Sequence, residues 1–478
     1  MAHLEGESRY QRLLYSPSLD EVVGEEHPVR VIDAFVDSLD LTQLGFSKVV
    51  AAATGRPPYR PSDLLKLYVY GYANAVRSSR GLEREAGRNI EVQWLINRLS
   101  PSFKTVADFR RDHASAIVGV CGAFIRFCRL QSLHGGELAA IDGTKLEAVA
   151  SRKQVITPKR LEKQMAGIDK RIEQYLAGMD EADREDAAAD GGPVDVAAAL
   201  DALRARREQI QAQAKALADE GLTQRVIGEA DARLMKTARH GHQVAYNAQA
   251  AVDAKHGLIA AFDLTNEGND ERQLLPMARA AKAALEAETL TVVADTGYSN
   301  GEHGRACEAE GITAVVPRQT VVNTRARGER LFTREDFTYD RQSDAWTCPA
   351  GQVLRLQETC KKAQTWRYGT SACRDCPIKA RCTKGKARRI SRHFYEDDRE
   401  AMHQRAIQDR RWMKLRRELV EHPFGVMKWM MGRPRFLVRG LHKAKAELAL
   451  TVLAFNLKRT VSIKGVPALL DVLRLNPA

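Results

Sequence analysis

Two short apolar runs in this chain close in the same way. Leu138-Ala-Ala-Ile141 stops at Asp142 before Gly143-Thr144, and Leu290-Thr-Val-Val-Ala294 stops at Asp295 before Thr296-Gly297. Apolar, β-branched runs bounded by turn residues predict buried strands, so each aspartate is expected at the end of a strand that the core holds in place. Residues 242–266 read as two more strands joined by a turn at Lys255-His256-Gly257. A helix follows, with Asn269-Asp270 as its cap and Leu274, Leu275, Met277 and Ala281 facing inward. Then come the Asp295 strand, a helix near residues 300–310 and a last strand, Ile312-Thr-Ala-Val-Val316. The order strand, strand, strand, helix, strand, helix, strand predicts an α/β fold around a mixed sheet.

The flanking segments differ in pattern. Residues 1–130 look mostly helical, with apolar residues at helical spacing in Leu64-Leu65-Leu67-Tyr68, Trp94-Leu95-Leu99 and Val118-Val120-Phe124-Phe127, and with Pro57, Pro58 and Pro61 at the entry to one helix. Such a block suits either DNA binding, with Arg77, Arg80, Arg84, Arg110 and Arg111 for phosphates, or dimerisation. After the first strand, Leu161, Met165, Ile168, Ile172, Tyr175 and Met179, then Leu200, Leu203, Ile210, Ala214 and Leu217, recur three and four apart. They predict two amphipathic helices of about 20 residues, about 30 Å long, folded back across Gly191-Gly192-Pro193 as an antiparallel hairpin that serves as a contact arm or an inserted spacer.

Between about 320 and 395 the sequence is hydrophilic and strand-like. It carries Cys348 and then Cys373-x2-Cys376-x5-Cys382, the spacing of a structural Zn²⁺ site built from four thiolates; reduced, unliganded thiols are the alternative. Cys121, Cys128 and Cys307 lie among apolar residues and are expected to be buried. Trp346 and Trp366 are expected to pack this small subdomain, with stacking on a displaced base as the other use.

Charge names the class of partner. Lys+Arg number 74 against 61 Asp+Glu, a formal net charge of +13, and residues 379–439 alone hold 18 Lys/Arg against 7 Asp/Glu. Clustering of this kind is the footprint of phosphate contacts. No apolar run reaches the roughly 18 residues of a membrane span, and Met-Ala-His-Leu-Glu-Gly-Glu has no signal-peptide pattern. A cytoplasmic, nucleoid-associated protein without a disulfide framework is therefore expected.

Inside the basic stretch lies a third acid, Glu421, in Arg416-Arg-Glu-Leu-Val-Glu-His-Pro-Phe-Gly-Val-Met-Lys428, which reads as a helix approaching Pro423. Asp142, Asp295 and Glu421 can converge on a pair of divalent cations. Carboxylates without His or Cys beside them suit Mg²⁺, with Mn²⁺ as a substitute, better than Zn²⁺.

The segments Ala140-Ile-Asp-Gly-Thr144, Asn266-Glu-Gly-Asn-Asp270, Ala294-Asp-Thr-Gly-Tyr298 and Val420-Glu-His-Pro-Phe-Gly425 resemble the DDE transposases of bacterial insertion sequences, in the branch with a helical N-terminal domain and a cysteine-bearing insert. The resemblance spans most of residues 10–460. It implies an RNase H-like mixed sheet with helices, in which Asp142, Asp295 and Glu421 hold two Mg²⁺ ions. The implied organisation is a helical N-terminal domain over 1–130, an RNase H-like core over 131–155 and 221–319, a helical-hairpin insertion over 156–220, a β-rich cysteine-bearing insertion over 320–395, C-terminal helices over 396–460 and a tail over 461–478. The family signature around the glutamate, Tyr-x2-Arg-x3-Glu-x6-Lys, stands here as Lys414-x2-Arg417-x3-Glu421-x6-Lys428, with lysine in place of tyrosine. Arg417, Lys428, Lys414, Arg110 and Arg111 are the implied DNA contacts, and Glu421 is preferred over Glu418 because it alone has the His-Pro-Phe-Gly context. What the resemblance implies is a homodimer that binds double-stranded DNA at terminal inverted repeats, cuts it and joins it to target DNA. A non-catalytic DNA-binding regulator and an RNase H-like nuclease without strand transfer are the other readings.

Overall fold

The computed structural model describes residues 17–51, 54, 57–185, 196–237, 241–318 and 331–475. Its centre is a mixed sheet. We number five of its strands β1 (Leu138–Glu147), β2 (Gly241–Asp253), β3 (Ile259–Thr265), β4 (Leu290–Val293) and β5 (Ile312–Val315). Their spatial order is β3-β2-β1-β4-β5, with a further strand, Arg233–Thr237, paired to the start of β2. β1 and β3 run antiparallel to β2, whereas β4 is parallel to β1 and β5 parallel to β4. This meander followed by two helical crossovers is the RNase H-like mixed sheet.

The turn between β2 and β3 uses Gly257 at φ 67°, the left-handed conformation that glycine adopts without a Cβ penalty. The crossovers are the helices Leu274–Leu285 and Gly301–Ala309. Leu274, Met277, Ala278 and Ala281 bury one face of the sheet together with Ile141, Val292 and Cys307.

The other face is covered by the rest of the chain. Helices Val29–Asp37, Pro61–Ala73, Ser79–Arg88, Phe103–Asp112 and Ala114–Leu130 share one apolar core with Ala140, Ala248, Ala250 and Val252 of the sheet and with the C-terminal helices Arg411–Met431, Leu441–Lys464 and Val466–Leu475. Asn456 ties this layer to β3, accepting from the Ile259 N–H and donating to its carbonyl at 2.9 Å each. The stretch set apart in the sequence as a tail is thus largely helical: Val466, Leu469, Leu470 and Leu473 are spaced to bury one side. Among the described residues no single helix is long and apolar enough to cross a membrane. Pro61 stands at the first turn of its helix, where a missing N–H costs nothing.

The helices Pro158–Glu185 and Val196–Asp219 bury Leu161, Ile168, Ile210 and Leu217 in a cluster of their own. An antiparallel pairing of Val155–Ile156 with Arg225–Val226 closes their base; the Gly191-Gly192-Pro193 turn lies outside the described residues. Within the cysteine-bearing segment, five strands from Thr338–Asp340 to Ile390–His393 form a sequential antiparallel sheet. Its small core holds Phe337, Trp346, Leu354, Tyr368, Cys382 and Ile390. Trp346 is buried there and Trp366 packs at a tilt against Phe394, with ring centroids 4.6 Å apart, so both pack the subdomain as expected. Residues 319–330 of that segment are outside the described range.

Candidate active site

Asp142 sits within β1 rather than at its end, because residues 143–147 continue the ladder with β2 from Gln249 back to Ala245. Asp295 lies just past β4, where its Oδ1 accepts the Gly297 N–H at 2.8 Å and caps a short helical turn. β1 and β4 are parallel neighbours, which brings the two aspartates together. One nitrogen of Arg416, Nη2, bonds both: 2.8 Å to Asp142 Oδ1 and 3.2 Å to Asp295 Oδ2. Asp142 Oδ1 also accepts the Gly143 N–H at 2.8 Å.

Burial pushes the Asp142 carboxyl up to about 6, and the negative neighbours Asp295 and Asp270 add to the rise, while Arg416 and the Gly143 N–H oppose it. A buried carboxylate whose charge is disfavoured and which faces a second carboxylate is a candidate functional group.

Behind β1 stands a second acid that the sequence reading assigned to a helix cap. Asp270 caps nothing: the helix opens at Gln273 without a side-chain cap. Its Oδ1 accepts from Asn247 Nδ2 and Gln249 Nε2 at 2.7 Å each and from Lys145 Nζ at 3.2 Å. Gln249 in turn accepts from the buried Tyr298 hydroxyl at 2.5 Å, a phenol whose burial raises it well above its ordinary value. Gly143 lets this network press against the strand, since a Cβ there would lie 2.3 Å from Gln249 Nε2 and 2.9 Å from Asp270 Oδ1. The motif Asn266-Glu-Gly-Asn-Asp270 is the visible signal; the donors come from β1 (Lys145) and from β2 opposite it (Asn247 and Gln249), positions that no spacing rule singles out.

Glu421 lies on the Arg411–Met431 helix, which continues through Pro423. Its side chain is 72% exposed and its recorded partner is Arg417, 3.9 Å away. The structure therefore brings Asp142 and Asp295 together and leaves Glu421 outside their contact. Among the described residues no three His, Cys, Asp or Glu side chains stand as a ready metal site. The donor chemistry nevertheless fits a divalent cation: two hard carboxylate oxygens converge on one point, and a guanidinium nitrogen holds that point.

The expected DNA contacts divide. Arg417 and Lys414 are exposed, at 71% and 81%, and Lys414 faces Glu418 at 3.8 Å; Lys428 is half-buried on the same helix. Arg111 is a surface residue paired with Asp108 and Asp112. Arg110, by contrast, is buried against the Tyr68 ring with the Tyr72 hydroxyl 3.4 Å away. Arg77 is buried too, paired with Glu447 at 3.0 Å, so both serve the core.

Cys348, Cys373, Cys376 and Cys382 all line one cavity of about 20 Å³ with Phe337 and Arg388. Cys348 Sγ accepts the Gln352 N–H at 3.3 Å, and the Arg388 Nε is buried without a partner among the described residues. Cys121, Cys128 and Cys307 are fully buried; burial pushes the Cys128 and Cys307 thiols up to about 12.

The RNase H-like sheet thus sets two aspartates side by side at adjacent parallel strands. Residues 17–112 match the family described as a transposase domain, and residues 347–461 match the family described as a transposase DDE domain. Both stretches support the resemblance of this chain to the DDE transposases. Among solved structures, the cryo-EM structure of the piggyBac transposase synaptic complex with hairpin DNA is similar at 9% identity and a TM-score of 0.36, over 94% of this chain and 79% of that one. No curated protein matches.

Proposed function

We propose that this chain is a transposase that binds the ends of an insertion sequence as a homodimer, cleaves double-stranded DNA there and transfers the freed 3′ end to target DNA, acting within the nucleoid. The observation that carries the proposal is the convergence of Asp142 and Asp295 on one nitrogen of Arg416, at a sheet end beside a helix that presents exposed Arg411, Lys414 and Arg417. Asp142, Asp295 and, after a shift of its helix, Glu421 would hold Mg²⁺ or Mn²⁺. Bound there, a divalent cation would supply activation of the attacking oxygen and stabilisation of the leaving one.

The chain's own part is to bind and align. Arg417, Lys414 and Lys428 grip phosphates near the cut, and Arg111 contributes to the flanking surface; Arg110 stays in the helical core. The Asp270 network fixes β1 so that Asp142 keeps its place. In the insert, the four cysteines would draw in around a Zn²⁺ ion that ties the small sheet together.

A strand-transfer assay with paired element ends and a plasmid target tests this reading. Joined products in the presence of Mg²⁺ are expected. Nicking without joining would instead favour the nuclease, and binding with neither would favour the DNA-binding regulator.

A further inference from the structure

Two residues of one helix compete for the same pair of aspartates. Arg416 directs a guanidinium nitrogen at Asp142 and Asp295. Glu421 stands five positions further along that helix, which at 3.6 residues per turn is about 140° around the axis, and it faces outward beside Arg417. A helix in a single setting cannot offer both side chains to the aspartates.

We infer that Arg416 is a resident counter-cation: it neutralises Asp142 and Asp295 and keeps the helix in the setting with Glu421 turned out, until a divalent cation displaces it and Glu421 swings in. This rests on the reading of the two aspartates as metal ligands. Three further observations support it. Arg416 is only 16% exposed, yet its Nε has no partner among the described residues, so the recorded anchors of this guanidinium are the two carboxylates. The helix is also jointed where it must move: Pro423 lies within it, so the carbonyl one turn earlier, at Leu419, lacks its ladder donor. Finally, Gly425 follows in open space, with nothing within 4 Å of a Cβ built there. Once displaced, Arg416 joins the exposed Arg411, Lys414 and Arg417 on the first half of the helix, where an incoming phosphate takes over the role of the carboxylates.

Binding of Mn²⁺ to the full chain without DNA, followed by electron paramagnetic resonance, tests the inference. Arg416→Gln is expected to bind Mn²⁺ about tenfold more tightly than wild type, the scale of one charge-assisted contact. Arg416→Lys keeps the charge on a single nitrogen, which is all that the contact to both carboxylates uses, but on a shorter side chain, and is expected to fall between the two. If Arg416→Lys binds Mn²⁺ as tightly as Arg416→Gln, no cation has to be displaced and the idea is overturned; equal affinity in all three chains overturns it as well. Asp142→Asn separates the two levels: if it leaves Mn²⁺ binding unchanged, the ion sits elsewhere and the reading of the aspartates as ligands fails.

Discussion

Asp142 occupies a place that disfavours its own charge, and that has a measurable cost. Its carboxyl, raised to about 6 by burial first and by Asp295 and Asp270 next, binds a proton more readily folded than unfolded. Stability is therefore unaffected in strongly acidic solution, falls as pH climbs toward about 6, and stays lower above it. Asp142→Asn is expected to be more stable than wild type by about 1 kcal/mol at pH 8, with the gap closing in acid; thermal melts across pH check this, and a destabilised variant at pH 8 would refute it. At Gly143, alanine would force Gln249 and Asp270 aside, since its Cβ would stand 2.3 Å and 2.9 Å from their atoms. A loss of about 2 kcal/mol is expected from overpacking of this kind, measurable by urea unfolding. The two aspartates were legible in the sequence because each closes an apolar run. Arg416 and the Asp270 network were not, because their partners lie across the sheet or on a helix far along the chain.

The helix Arg411–Met431 was legible as a helix, but not as one that continues beyond Pro423. A buried apolar side, with Val420, Phe424, Met427 and Met430, outweighs the lost ladder bond. The sequence reading also placed Asp142 at a strand end, since Gly143-Thr144 carries a turn signal; pairing with β2 overrides it. The cysteine-bearing sheet has a small core, and a sheet of that size is expected to rely on a staple beyond its apolar residues. One Zn²⁺ per chain is expected by elemental analysis of protein purified without chelator. Cys373→Ser and Cys376→Ser should lose it and expose amides of residues 331–393 to faster hydrogen exchange. Metal-free wild type with undiminished protection would contradict the zinc site.

Across the whole molecule, the N-terminal helices and the C-terminal helices form one body. Arg77 donates to the carbonyls of Met431, Arg433 and Arg435 at 2.5, 3.2 and 3.1 Å and pairs with the fully buried Glu447, so it pins the exit of the Glu421 helix to the helical region. Arg77→Met leaves Glu447 buried without its partner and is expected to cost about 3 kcal/mol, seen as a lower midpoint in a single unfolding transition that covers helices and sheet alike; an independent N-terminal transition would refute that unity. The central claim is that three carboxylates, drawn together by a cation, cut DNA at the element's ends. Its most direct test is cleavage of DNA carrying those ends with Mg²⁺ or Mn²⁺, for wild type, Asp142→Ala, Asp295→Ala and Glu421→Gln, with DNA binding measured in parallel. The expected result is cleavage by wild type alone and binding by all four; cleavage that survives the loss of any one of these acids, or wild type that binds without cutting, would contradict it.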